Sequence, residues 1–332
     1  MSTSGERVLQ TVNFQTPDRP PKDLGGMRST SISAFAYPKL VKALGLPLRL
    51  PRVEDTGQMP ALPNLDVLDA IGIVIVYILD GVTNAVEPPG IWQQYDFKGR
   101  LPAPVRWPRR FNAQPDGSIR NGRSKMLSTS YVFDEEHGGK PFNLSDNLPK
   151  VNLRLLRRKL KNYPLTDEKI INLKRLALQV RQSPDRAVFL NGGTLQAPIG
   201  AGGWNGVAIF PILCLPEPIF VSEVHEIVTQ NTLENIQAFL PEIRDNIDII
   251  MLTAPAWGAQ SILFASPKIY RFRFLLFYKQ LTTEIYKIAP QVKLFIHTWG
   301  AVYKLIDSFV ERGFDVMNPV HRPAGGRSYH YV

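Results

Sequence analysis

Two histidines, His297 and His321, close successive apolar runs near the end of this sequence. Imidazole is the side chain that can take or give a proton near neutral pH, or offer a ring nitrogen to a metal. Neutral hydrogen-bonding residues hold similar places. Asn191 follows Ala187 to Leu190, with Gln196 just beyond; Gln260 follows Ile247 to Thr253, and Asn318 lies in Phe314 to Val320. Amides of this kind orient a small polar ligand without changing their own charge, so Asn191, Gln196, Gln260, His297 and Asn318 read as substrate-binding residues. No catalytic residue can be named among them. The segment before Trp257 is Pro255-Ala256, and neither residue can act as an acid or base there. His297 and His321 together would give a metal two imidazoles, short of the three or four ligands that zinc takes. Asp134-Glu135-Glu136-His137 has a metal-like composition, but after a strand it reads as a solvated turn or a substrate contact. The glycines at Gly192-Gly193 and between Gly200 and Gly206 match neither dinucleotide nor phosphate-loop spacing, and serve close backbone approach instead.

The elements that must carry these residues follow from hydrophobic periodicity. Ser4 to Asn13 is expected to be a helix capped by Ser4, with Pro17, Pro20 and Pro21 ending that region. Further helices are expected at Ser33 to Leu46 and Asn64 to Ile71, and Ile73 to Leu79 is the first dense β-branched run. Residues 81–134 change texture, with the turn Pro115-Asp116-Gly117 and a strand near Ser130 to Phe133, and read as an inserted loop or hairpin excursion. Helices at Val151 to Asn162 and Thr166 to Gln182 come next. From there strands and helices alternate: Ala187 to Leu190, helix Trp204 to Cys214, helix Glu217 to Leu240, strand Ile247 to Thr253, helix Pro267 to Ile288, strand Val292 to Thr298, helix Ala301 to Arg312, strand Phe314 to Val320. Such alternation predicts parallel βα units, whose chemistry collects at the C-terminal strand ends.

Composition narrows the classes. With 44% hydrophobic and 20% charged residues, the chain has ample material for a core. Cys214 is its one cysteine, which excludes an internal disulfide and a cysteine-rich zinc ribbon. No apolar stretch is long enough to span a bilayer and no secretory signal opens the chain, so a cytoplasmic protein with no membrane partner is expected. The net charge of +10 is concentrated in Lys98 to Lys125 and Lys150 to Lys161. No nucleic-acid-binding motif accompanies it, so these segments read as solvated faces and no nucleic-acid partner is expected.

Across these positions the chain resembles the uroporphyrinogen decarboxylase-like superfamily, in the branch grouped with corrinoid-dependent methyltransferases. The residues that carry the likeness are Pro17-Asp18-Arg19-Pro20, Asp23-Leu24-Gly25-Gly26, Thr56-Gly57-Gln58-Met59, Phe133 to Gly139, Asn191 with Gln196-Ala197-Pro198, Asp248-Ile249-Ile250, Trp257-Gly258-Ala259-Gln260, His297 with Gly300, Asn318-Pro319-Val320 and Ala324-Gly325-Gly326. The resemblance implies a (β/α)8 TIM barrel forming one domain over 1–332, with 81–134 at the barrel mouth. The barrel would be incomplete at the C-terminus, its last one or two βα units missing, and its open edge would favour self-association. It implies methyl transfer involving a corrinoid protein and a small-molecule substrate, with zinc bound through a His-x-Cys pair. His297 matches that histidine, but Trp299 stands in the cysteine's place, and indole has no lone pair for a metal. His321 stands where the family has glutamine, which leaves the two histidines as the remaining metal ligands. The alternatives are decarboxylation of a porphyrinogen, whose arginine-rich glycine motif is not found between Gly25 and Phe35, and a non-catalytic barrel fragment.

Overall fold

The computed structural model describes residues 2–26, 30–53, 55–73, 75–78, 92–106, 110–134, 152–161, 165–182, 185–191, 213–253, 257–321 and 324–326. The fold is mixed α/β, with parallel and antiparallel sheets and no closed barrel among the described residues. It divides into two compact units, one of Met1–Tyr77, Glu87–Asn143 and Asp185–Ala187, the other of Ile78–Val86, Leu144–Pro184 and Val188–Val332.

The first unit opens with α1 (Ser4–Val12), capped by Thr3 and not by Ser4. The reason is Glu6: a reciprocal cap needs an acid three residues on, and Glu6 stands three after Thr3. The Thr3 hydroxyl accepts from the Glu6 N–H at 3.2 Å, and the Glu6 carboxylate accepts from the Thr3 N–H at 2.6 Å. α2 (Tyr37–Ala43) is shorter than its periodicity suggests, because Pro38 favours the first turn and Gly45, at φ +69°, ends the run. α3 spans Leu65–Ala70. Strands β1 (Arg52–Val53) and β2 (Ala61–Leu62) precede β3 (Ile75–Ile78), which falls at the boundary of the units. β4 (Trp92–Asp96), β5 (Pro102–Arg106), β6 (Phe111–Ala113), β7 (Ile119–Asn121) and β8 (Ser124–Met126) come from the segment read as an excursion. They are part of this unit's fabric, since β5 pairs in parallel with β1 in a sheet of order β2-β1-β5-β4. β6, β7 and β8 form an antiparallel meander with Pro115-Asp116-Gly117 at its first turn.

The strand expected near Ser130 to Phe133 does not form. The Ser130 hydroxyl takes the Val132 N–H and donates to the Val132 carbonyl, a local turn that competes with a ladder. Phe133 instead packs inward, stacked on Phe111 at 5.4 Å. Arg100, from the basic stretch, is likewise structural, donating to the carbonyls of Phe97, Leu127 and Ser130.

In the second unit the alternation holds. α4 (Leu153–Lys161) and α5 (Asp167–Arg181, capped by Thr166) lead to β9 (Ala187–Asn191), then α6 (Pro218–Ile243), β10 (Ile249–Thr253), α7 (Pro267–Ile288), β11 (Lys293–His297), a 3-10 turn with α8 (Ile306–Glu311), and β12 (Val316–Asn318). The strands lie in the order β12-β11-β10-β9, all parallel. Tyr270, Phe274, Tyr278, Leu281 and Ile285 recur at helical spacing down α7 and pack with Ile236, Phe239 and Leu240 of α6 and Ile250, Leu294 and Ile296 of the sheet. The helix expected at Trp204 to Cys214 lies outside the described residues except for Leu213 and Cys214, which are buried. Among the described residues, no helix is long and apolar enough to cross a membrane.

His225 is buried where α6 meets α7, edge-on to Phe274 at 5.0 Å, with Nδ1 2.6 Å from the Val221 carbonyl oxygen. Burial pushes its pKa down to about 4. The folded protein therefore holds His225 neutral while the unfolded chain, near 6.5, takes up a proton, so stability falls as pH drops from about 6.5 to about 4. Urea midpoints at pH 7 and pH 4.5 should show that loss, and His225→Phe should flatten it; an unchanged slope would mean other groups dominate the window.

Candidate functional site

The C-terminal ends of β10, β11 and β12 are tied to one another by their backbones. The Thr298 N–H donates to the Asn318 carbonyl at 2.8 Å, the Ala301 N–H to Ala259 at 3.0 Å, and the Gly325 N–H to Gln260 at 2.8 Å. The Thr298 hydroxyl accepts from the Trp257 N–H at 3.3 Å. At the tightest point two glycines face each other. Gly300 has φ +83°, and a Cβ there would lie 2.4 Å from the Gly258 carbonyl carbon and oxygen.

On this platform His297 and Asn318 are register partners on adjacent parallel strands, and the side chains meet. The His297 Nδ1 is 2.9 Å from Asn318 Oδ1. The Trp299 indole N–H donates to His297 Nε2 at 2.6 Å, with the rings edge-on at 5.5 Å. Trp299 lies two residues past His297, beyond the end of β11, and its indole turns back to reach the imidazole. An indole can only donate, so Nε2 is the bare nitrogen and Nδ1 carries the proton that Asn318 accepts. Both ring nitrogens are satisfied in one neutral tautomer. Burial pushes the His297 pKa down, and the Asn318 contact only partly opposes it.

The other sequence-derived residues are placed less centrally. Asn191 ends β9 and is buried, on the same sheet and two strands from His297. Gln260 is exposed, and its backbone rather than its side chain makes the bond to Gly325. His321 is exposed on the segment after β12, its carbonyl accepting from the Ala324 N–H. Gln196, Pro255-Ala256, Glu135-Glu136-His137 and the glycines of 192–206 lie outside the described residues. Asp134 is described and belongs to the first unit, where its backbone pairs with Lys125.

The zinc reading can be tested on the donors themselves. His297 has no lone pair to spare, Trp299 supplies a donor where a ligand is needed, and Cys214 is a buried thiol whose pKa burial pushes up to about 11. Among the described residues no three His, Cys, Asp or Glu side chains gather as a metal site. Among the described residues this donor set does not fit zinc.

Two structural uses of charge were not legible beforehand. Asp248 and Asp315 stand just before β10 and β12, and each carboxylate accepts a backbone N–H from the neighbouring strand, Val188 and Leu294 respectively, both at 2.7 Å. These acids lie at the N-terminal strand ends, opposite the face where chemistry would collect. Their signal was an aspartate directly before an expected strand core, Ile249-Ile250 in one case and Val316-Met317 in the other. The second is Arg312, a fully buried arginine stacked 3.8 Å over the Tyr270 ring.

No protein-family model matches this chain, and no curated protein matches it in sequence.

Proposed function

We propose that the chain is a uroporphyrinogen decarboxylase-like protein of the methyltransferase type, its second unit part of a (β/α)8 barrel. Its strand-end site binds a small polar molecule through neutral hydrogen bonds, without a zinc-dependent step. Four parallel strands alternating with helices support the architecture. The observation that carries the site is the chain of contacts Asn318, His297, Trp299 at adjacent strand ends. In this arrangement His297 is a fixed polar wall and Asn318 sets its tautomer; neither is poised to shuttle a proton, since burial disfavours the imidazolium.

In this reading a corrinoid is the large partner and the strand ends hold the small acceptor. Methylcobalamin is a soluble stand-in for the corrinoid protein. Equilibrium dialysis should find saturable methylcobalamin binding with no zinc requirement, weakened about tenfold in Asn318→Ala, whose lost hydrogen bond frees the His297 ring. Saturable binding of a uroporphyrin in its place would favour the decarboxylase class, and binding of neither would reject the reading.

A further inference from the structure

We infer that Trp299 is the specificity-determining residue of the strand-end site: its indole holds the lone pair of His297, and the ligand that replaces it there is an uncharged hydrogen-bond donor and not a metal cation. This inference rests on the strand ends being a binding site.

The argument begins with exposure. His297 is 7% exposed, whereas Trp299, which covers its Nε2, is 47% exposed. The indole is thus the solvent-side member of the pair, held at its inner end by a single hydrogen bond at 2.6 Å. Anything reaching Nε2 from solvent must displace that N–H. The replacement must also supply a donor, because a buried acceptor left bare carries its desolvation penalty uncompensated. A neutral N–H or O–H exchanges like for like. A metal cation would gain one nitrogen and lose its hydration shell, with no second lone pair from Trp299 and with Nδ1 committed to Asn318. A protonated amine would bring charge to a partly buried ring with no described carboxylate bonded to it.

Carbethoxylation by diethyl pyrocarbonate reads this directly, since the reagent acylates a bare imidazole nitrogen, and the modified peptides identify each histidine by mass. Two other histidines calibrate the experiment within the same molecule. His321 is exposed and should react at the same rate in every variant. His225 is fully buried and should stay unmodified while the fold is intact. In the native protein His297 should be protected. In Trp299→Ala it should react at least tenfold faster, and in Trp299→Phe, which keeps the bulk but not the N–H, several-fold faster. Free indole added to Trp299→Ala should restore protection, while 1-methylindole, which lacks the N–H, should not. His297 reacting alike in all three proteins, or protection by zinc as strong as by indole, would overturn the inference. If His225 becomes reactive in Trp299→Ala, Trp299→Phe and the native protein carry the test, because nitrogen NMR of labelled histidine must then show the Nδ1–H tautomer of His297 in the native chain and a shifted Nε2 resonance in Trp299→Phe, the tautomer itself being kept by Asn318; a native Nε2–H tautomer, or an Nε2 resonance alike in both proteins, would overturn the inference. Failure to bind methylcobalamin leaves these measurements intact, so the two proposals fail separately.

Discussion

Gly300→Ala should lower the unfolding midpoint by about 10 °C and loosen the strand-end site with it. Two costs combine. An L residue held at φ +83° carries about 1–2 kcal/mol of left-handed strain. The added Cβ would also sit 2.4 Å from the Gly258 carbonyl group and 2.6 Å from the Ala259 oxygen, backbone atoms that cannot turn aside as a side-chain tip can. Overpacking of this kind costs about 1–3 kcal/mol or more. A total near 4 kcal/mol corresponds to roughly 10 °C for a body of 150–250 residues. The strain can be separated from the clash with Gly45→Ala, where φ is +69° but no atom lies within 4 Å of the added carbon. That variant should cost only about 1–2 kcal/mol. Thermal unfolding of both, with His297 carbethoxylation as a local probe, decides the matter. Equal losses in the two would mean that the loops after β10 and β11 are not packed backbone to backbone.

The elements of the second unit were legible because several signals agreed at each boundary. Ser266-Pro267 combines a capping hydroxyl with a proline suited to the first turn, and Pro290 stands beyond the last, so α7 runs from Pro267 to Ile288 as its periodicity indicates. Lys293–His297, largely buried, and the half-buried Val316–Asn318 are short extended runs placed where the alternation of strands and helices predicts them. The misjudged elements are places where local polar chemistry competes with pattern. Thr3 and Ser4 are both good caps, and only the position of Glu6 selects Thr3. Ser130 diverts an extended-looking stretch into a turn. At the site, the meeting of His297 with Asn318 was implied once the strands were parallel, since both residues end adjacent runs. Trp299 drew notice only through the resemblance, which puts a cysteine at its position. That it supplies a donor to the same nitrogen depends on where the indole turns, which spacing alone does not fix. Asp248 and Asp315 show the same limit: the sequence puts each acid at an N-terminal strand end, but which neighbouring N–H its carboxylate accepts depends on how the strands pair.

Arg312→Met should make the second unit more stable, by about 1–4 kcal/mol. Arginine at an exposed helix end would be unremarked, but this one is 1% exposed, and Nε, Nη1 and Nη2 make no hydrogen bond with the described residues. Its charge lies against aromatic faces, Tyr270 at 3.8 Å and Tyr278 at 5.2 Å. Glu311, next in the chain, already pairs with Arg271 at 2.6 Å. A cation over a ring gains about 2 kcal/mol when desolvated, whereas removing an ion from water costs several. Burial accordingly pushes the Arg312 pKa below its ordinary value. Methionine keeps the length, fills the space between the tyrosines and Phe309, and favours contact with aromatic rings. The midpoint of unfolding should rise by several degrees. Arg312→Lys is the complementary variant, because it keeps the charge but loses the flat guanidinium that stacks, and it should fall below the native protein. If methionine were instead to destabilise the fold by more than 1 kcal/mol, the guanidinium must be held by an acceptor, and the core between α7 and α8 would be polar where its residues make it aromatic.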